Sequence, residues 1–294
     1  LEIPVALVSD INTEYSEFAP LMVGDTLYFS SYRFPFDKDD HKPKRHLIKV
    51  LGAVQDDTQW TTTPQPYNEP TRHTAQVTFN RDKTAMYYSL CEFTGDASIR
   101  CDLYMRERKT PNSAWGAAVK LAEPINLPDY TNTEPSLGYT SDNREVLFFV
   151  SDRLEGKGKR DIWYAEKQGF GFGKPVNLSA LNTAEDDVTP YYHVPSKTLY
   201  YSTAGLPTMG GLDVYASKGY GSDWTEPRHL GIPINSGGND VYFTLTENEK
   251  TAYFASNRKG AKNLTEEACC FDIFTAELVK PQMVAVFFNK ATGD

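Results

Sequence analysis

The chain is short of the residues on which metal and redox chemistry depend. It has four cysteines and five histidines among 294 residues. No C-x-x-C pair occurs and the histidines are scattered, which argues against a zinc site. A calcium-braced scaffold, with acidic linkers holding a hard cation by oxygen ligands, stays as a third option, but no spacing demands a metal and none is assigned. Long apolar runs are missing too. None approaches the ~20 residues of a membrane helix, so direct membrane insertion is not expected. Basic residues are outnumbered, with 30 Lys and Arg against 39 Asp and Glu and a formal charge of −9. That balance disfavours nucleic acid, whose phosphates need Lys and Arg to displace counterions. It also disfavours anionic lipid surfaces. G-x-S-x-G, H-E-x-x-H and P-loop signatures are absent. The glycine-rich Gly169-Phe170-Gly171-Phe172-Gly173 sits between strand-like segments rather than before a helix, so it is no dinucleotide fingerprint. No cofactor is called for.

What the chain does have is aromatic strand sequence. Hydrophobic residues make up 40% and aromatics 13%, mostly Tyr and Phe, which pack well on a pleated, half-buried surface. Gly and Pro fall mostly between the apolar runs, as turns require. One run recurs five times: Leu27-Tyr28-Phe29-Ser30, Met86-Tyr87-Tyr88-Ser89, Leu147-Phe148-Phe149-Val150, Leu199-Tyr200-Tyr201-Ser202 and Ala252-Tyr253-Phe254-Ala255. Their first residues lie 59, 61, 52 and 53 positions apart. A polar turn such as Gly24-Asp25 or Ser141-Asp142-Asn143 precedes each run, marking a hairpin. In four copies a short strand opened by Asp follows: Asp102-Leu103-Tyr104, Asp161-Ile162-Trp163, Asp213-Val214-Tyr215 and Asp272-Ile273-Phe274. An aromatic turn and a Pro-containing strand come next, clearest at Trp115 to Ile125, Phe172 to Leu181 and Trp224 to Ile234. Four strands per repeat, a to d, predict an all-β, five-bladed β-propeller over residues 1–280.

The ends of the repeat predict how the ring closes. Residues 1–12 read as a d strand with no a, b or c before it, and copy five stops after its c strand. Residues 3–8 are therefore expected to pair beside residues 271–278. Closure removes the sheet edges that would otherwise invite aggregation. The alternative is six blades, the sixth supplied from outside the chain. Residues 281–294 read as a linker or as the first strand of a following β-sandwich.

The cysteines leave alternatives open. Cys91 and Cys101 flank a predicted hairpin; a disulfide between them would require an oxidising compartment, whereas free thiols would suit the cytosol. Cys269 and Cys270 are adjacent, and a bridge between them would need a distorted peptide. As a brace for their loop the pair makes more sense than as a redox centre.

Ser151-Asp152-Arg153 with Asp161-Ile162-Trp163, and Ser256-Asn257-Arg258 with Asp272-Ile273-Phe274, resemble the WD-like propeller repeats of TolB-type proteins. The linkers Ile11-Asn12-Thr13-Glu14 and Leu181-Asn182-Thr183-Ala184 resemble the versions found in the Bacteroidetes. The segment Cys269-Cys270-Phe271-Asp272-Ile273 is similar to one in the OmpA-family and PorE-type components of type IX secretion. The resemblance implies a periplasmic, outer-membrane-associated module. It implies assembly with envelope proteins, and peptidoglycan contact through a separate C-terminal domain. On this reading the chain is a non-catalytic protein–protein interaction scaffold.

Strand alternation places the d-to-a linkers and b-to-c loops on one face. Glu17, Glu134, Asp187 and Asp240 lie in or beside the linkers; Arg33, Asp152, Arg153 and Arg258 lie in the loops. These are the candidate ligand- or partner-binding residues. Each Arg could instead lock its own blade by bonding that blade's strand-opening Asp. Copies two and four lack the Arg, having Glu92 and Gly205 nearby. Copy one carries a long loop, Tyr32 to Arg45, and copy five another, Lys259 to Ala268. A carbohydrate-binding or glycoside-hydrolysing propeller is the rival reading, because such rings hold two or three carboxylates around their channel. Glu134 and Asp187 would then be the acids. Against it, the candidate acids follow the repeat, whereas catalytic acids have different roles and break it.

Overall fold

The computed structural model describes residues 3–95, 98–262 and 271–278. Cys269 and Cys270, the part of the copy-five loop beyond residue 262, and the tail 281–294 lie outside the described residues. Among those described there is no helix, and the strands form five antiparallel sheets arranged as a five-bladed propeller. Blade 1 takes Glu17–Val23, Thr26–Pro35, His46–Asp56 and Gln59–Pro64 as its strands a to d. Blade 2 takes His73–Phe79, Ala85–Phe93, Ile99–Glu107 and Val119–Lys120. Blades 3 and 4 begin with Asn132–Tyr139, Glu145–Ser151 and Asp161–Gln168, and with Asp187–His193, Thr198–Thr203 and Asp213–Tyr220. In both, two short outer segments pair with strand c: Gly171–Phe172 and Val176–Asn177, then Asp223–Trp224 and Arg228–His229. Blade 5 consists of Asp240–Leu245, Thr251–Ser256 and Asp272–Glu277, and its outer strand is Val5–Leu7 from the start of the chain.

The recurring aromatic run is explained by the packing. Each b strand is sandwiched between two neighbouring blades, so side chains on both of its faces are buried and the run is apolar throughout. In blade 1, Leu27 and Phe29 face blade 5, while Tyr28 packs toward blade 2. In blade 3, Leu147 and Phe149 face blade 2 and Phe148 faces blade 4. The core is thus a set of apolar wedges, one at each junction. Each fully buried side chain contributes about 1.5–3 kcal/mol relative to exposure.

Val5, Ala6 and Leu7 pair with Ala276, Thr275 and Phe274, which closes the ring at five blades as expected. The seam copies the internal joints. At these joints an Asn of the linker bonds the backbone of one residue in the preceding c strand. Asn126 serves Leu103, Asn182 serves Ile162 and Asn235 serves Val214, through both N–H and C=O. Asn12 does the same for Ile273, at 2.8 Å in each direction, although 261 residues separate them. Asn12→Ala leaves the buried Ile273 N–H without its partner. We expect a stability loss of about 2–3 kcal/mol, readable by urea unfolding. A variant as stable as wild type would mean that the seam does not depend on this residue.

Cys91 and Cys101 stand directly opposite each other on strands b and c of blade 2 and are joined as a disulfide, with Cα atoms 4.0 Å apart.

Candidate active site on the propeller axis

The five a strands line the central channel, and each carries a β-bulge at the same register. The bulged residues are Ala19, Gln76, Glu134, Thr189 and Tyr242, all at φ between 52° and 55°. A non-glycine residue in this left-handed region costs energy, and for β-branched Thr189 the conformation is especially unfavourable. The repetition at one level of all five blades turns five backbone amides and side chains toward the axis. The residue type differs at every one of the five positions.

Glu134 is the carboxylate of this ring. Its Oε1 is hydrogen-bonded by the Tyr242 hydroxyl at 3.0 Å and its Oε2 accepts from Thr189 N–H at 2.6 Å. Gln76 Nε2 donates to the Tyr242 hydroxyl at 2.9 Å, and Thr133 Oγ1 donates to Gln76 Oε1 at 2.8 Å. The network therefore draws on blades 2 to 5. Blade 1 contributes space, through Ala19, and an aromatic ring, Phe18, whose centroid lies 5.5 Å from that of Tyr242. Ala19, Gln76, Glu134, Thr189 and Tyr242 line a depression of about 410 Å³, including the solvent in its mouth.

Burial raises the pKa of Glu134. The Arg160 guanidinium, the Thr189 N–H and Tyr242 pull it down, while the Asp186 charge adds to the rise, and the net shift is upward. Asp186 is shifted the other way. Its bond from Arg160 Nε at 2.8 Å holds it below the usual carboxylate range against a smaller effect of burial. Arg160 and Asp186 belong to blade 3 and to the linker entering blade 4, and their backbones meet at an isolated bridge. Glu134 on the axis and Asp186 in the linker are thus two carboxyls shifted in opposite directions, the first upward and the second downward, and the Asp186 charge acts on Glu134.

The other expected site residues have structural places. Glu17 and Asp240 open strand a of their blades, are fully buried, and pair with Arg33 at 3.1 Å and Arg258 at 2.7 Å. Arg153 is also buried but bonds no carboxylate among the described residues: it bonds Ser151 Oγ, Asn132 Oδ1 and the carbonyls of Pro124 and Ile125, and lies over Phe149 and Trp163. Each Arg thus locks strand b to the start of strand a and to the incoming linker, not to the Asp of strand c. Asp161, Asp213 and Asp272 cap backbone N–H groups of the loop before them, as Asp161 does for Gly158 at 2.9 Å, whereas Asp102 pairs with Lys120. Asp152 is exposed and accepts from Thr131 N–H. Asp187 is buried and bonds Thr183; burial pushes its carboxyl up to about 6. Of the two acids considered for hydrolysis, Glu134 reaches the axis and Asp187 does not. Its neighbour Asp186 lies close enough for its charge to act on Glu134.

Sequence reasoning missed Asp186, Arg160, Gln76, Thr189 and Tyr242. For Gln76, Thr189 and Tyr242 the available signal was the bulge position near the start of each a strand, where the repeat is kept in spacing and abandoned in residue type.

No family model matches the chain, and no curated protein does. Among solved structures it resembles a glycoside hydrolase with a TM-score of 0.59 at 12% identity, over 97% of this chain and 95% of that one. It also resembles the family-43 endo-arabinanase of Bacillus licheniformis, with a TM-score of 0.56 at 10% identity and 96% of each chain covered. A thermostable family-43 glycoside hydrolase aligns with a TM-score of 0.53 at 11% identity, over 92% of this chain and 91% of that one. At such identities the likeness establishes the fold. It also corrects the identification made from short motifs. The ring aligns with glycoside hydrolases rather than with TolB- or PorE-type envelope proteins, and the expectation of a non-catalytic assembly scaffold is withdrawn with that resemblance. Ser-Asp-Arg loops and strand-opening Asp residues report on how a blade is braced, and fold-level features of this kind do not carry function.

Proposed function

We propose that this chain is a glycoside hydrolase that acts on saccharide chains entering the mouth of its central channel. The observation that carries the reading is a pair of carboxyls in opposed environments: Glu134, desolvated on the axis with its pKa raised, and Asp186, ion-paired to Arg160 with its pKa lowered. Glycosidic bond hydrolysis needs one carboxyl that gives a proton to the leaving oxygen and one carboxylate that assists attack at the anomeric carbon. Environments that push two carboxyls in opposite directions assign those roles, Glu134 as acid and Asp186 as its counterpart. Phe18 and Tyr242 offer apolar faces against which a sugar ring can pack, and Gln76 and Thr189 offer polar atoms beside them. The structural likeness to an endo-arabinanase supports arabinan and arabino-oligosaccharides as the first substrates to test, with xylans next. The Cys91–Cys101 disulfide supports action in an oxidising compartment.

The experiment is a reducing-sugar and aryl-glycoside assay across arabinan, arabinoxylan, xylan and the matching p-nitrophenyl pentosides. Turnover is expected with at least one pentose polymer. Failure on all of them would overturn the assignment. The pH profile carries a sign. Glu134 must be protonated to act, and burial, with the Asp186 charge, raises its pKa against Arg160. Activity should therefore persist above the range of an ordinary glutamic acid and fall as pH rises through the elevated pKa of Glu134. A basic limb that stays in place when Glu134 is changed would mean that another group is the acid.

A further inference from the structure

The same bracing position differs from blade to blade. In blades 1, 3 and 5 an arginine guanidinium fills a slot between the first residue of strand a and the linker carbonyls. The carbonyls are those of Ile11, of Pro124 and Ile125, and of Pro233 and Ile234. In each case the guanidinium lies over the Phe two residues before the braced Ser: Phe29, Phe149 or Phe254. Blade 2 has Thr74 in place of the acid and Glu92 in place of the arginine, and its strands b and c carry the disulfide instead.

Blade 4 keeps the acid and loses the cation. Asp187 stands where Glu17 and Asp240 stand, but Gly205 replaces the arginine. A Cβ on Gly205 would meet Thr183 Oγ1 at 1.9 Å, so no side chain can be supplied from that position. The Phe has become Tyr201. Its hydroxyl is buried without a hydrogen-bond partner, and so is Oδ1 of Asp187, a residue with no exposed surface. The two groups are close enough for the Asp187 charge to act on the phenol. Thr203, between them in register, lies beside the carboxylate and favours its charged form, and its Oγ1 accepts from Gly205 N–H at 3.0 Å; Asp187 Oδ1 itself has no well-formed bond. Asp213, paired with Thr203 across the sheet, has a second buried Oδ1 without a partner. Two unsatisfied side-chain oxygens, of Asp187 and Tyr201, thus lie in the region where sister blades hold a positive charge, with a third on the neighbouring strand.

We propose that blade 4 binds a small, hard metal cation in this slot, with Asp187 Oδ1 and Tyr201 Oη as ligands and Thr203 Oγ1 and the Leu181 carbonyl completing an oxygen shell. Leu181 is assigned by register, since it precedes Asn182 as Ile11 precedes Asn12 and Ile234 precedes Asn235. A water molecule would satisfy the phenol but bring no charge to a buried carboxylate, and an unpaired buried charge is costly. The all-oxygen lining selects Na⁺, K⁺, Mg²⁺ or Ca²⁺ over zinc or copper. The cation would brace the blade in place of the missing arginine, and this role is independent of hydrolysis at the axis.

The test uses the full chain, stripped with EDTA and dialysed into tetramethylammonium chloride, whose cation is too large for the slot. Thermal unfolding is then followed while Na⁺, K⁺, Mg²⁺ or Ca²⁺ replaces it at constant ionic strength. One of the four should raise Tm saturably. Asp187→Asn should abolish that rise. Tyr201→Phe, which keeps the carboxylate and the ring, should raise the half-saturating concentration by roughly fivefold, the effect of losing one neutral oxygen contact of about 1 kcal/mol. A Tm that none of the four cations moves would overturn the proposal. So would variants that respond as wild type does. Should Asp187→Asn not fold, the Tyr201→Phe titration decides alone.

Discussion

Arg258→Ala will lower the stability of the protein by about 3–5 kcal/mol, well beyond the loss from removing an exposed salt bridge. The guanidinium is largely buried and bonds Ser256 Oγ, the carbonyls of Pro233 and Ile234, and Asp240 Oδ1 at 2.7 Å. Asp240 has no exposed surface. Truncation therefore leaves an uncompensated carboxylate in the interior, together with linker carbonyls lacking a donor. The comparison with Arg153→Ala makes the test sharp, because Arg153 faces the neutral Asn132 in the same place. Removing it strands carbonyls and an amide but no charge, so its cost should be smaller, about 1–3 kcal/mol. Urea unfolding of both variants gives the difference directly. Equal losses, or a loss below about 1 kcal/mol for Arg258→Ala, would show that the charge pair is not what braces blade 5.

Glu134→Gln will reduce kcat on natural pentose polymers by about 100- to 10,000-fold while leaving the fold intact. The amide oxygen still accepts from Thr189 N–H, and the bond to Tyr242 is kept with its direction reversed, the amide NH2 donating to the hydroxyl oxygen. The amide has no acidic proton to give. The size of the loss should depend on the leaving group. Activated aryl glycosides, whose phenolate departs without protonation, should lose far less than polymers whose sugar hydroxyl cannot. Asp186→Asn should affect both classes alike, because its part is played at the anomeric carbon. Uniform loss across substrates in Glu134→Gln would point to a binding role. Retained activity would remove Glu134 from the chemistry altogether.

Most of the architecture was legible because blade geometry is written into local periodicity. The aromatic runs, the turns before them and the strand-opening Asp residues repeat in fixed order, and the orphan d strand at residues 3–8 pointed to its partner. The site was less legible, for a reason visible in blade 3. Glu17, Asp187 and Asp240 each follow their linker Asn by five residues, and Asn132 follows Asn126 by six. Because Asn132 is not acidic, Glu134 was taken as the equivalent acid. It lies two residues further on, at the bulge, where the side chain turns to the axis instead of into the blade. Its partners could not be read from any window either. Tyr242 and Gln76 are 108 and 58 residues away, and they share no type with each other or with Thr189. Their likeness is one of backbone position, a left-handed residue in each a strand, and composition does not register it. The functional misreading had a similar origin. The motifs used to identify the chain are braces, and braces are shared by rings with different tasks.

The seam between Val5–Leu7 and Asp272–Glu277 also sets a timetable for the nascent chain. Leu7 leaves the ribosome first and its partner Phe274 follows 267 residues later. At about 5–20 residues per second, that first strand waits roughly 13–53 s for the position it completes. Blades 1 to 4 can each form from contiguous chain as they emerge, and only blade 5 is obliged to wait. The waiting segment is three residues of strand, too short to template pairing with a stranger, so the slow step is carried by the part of the chain least able to aggregate during it.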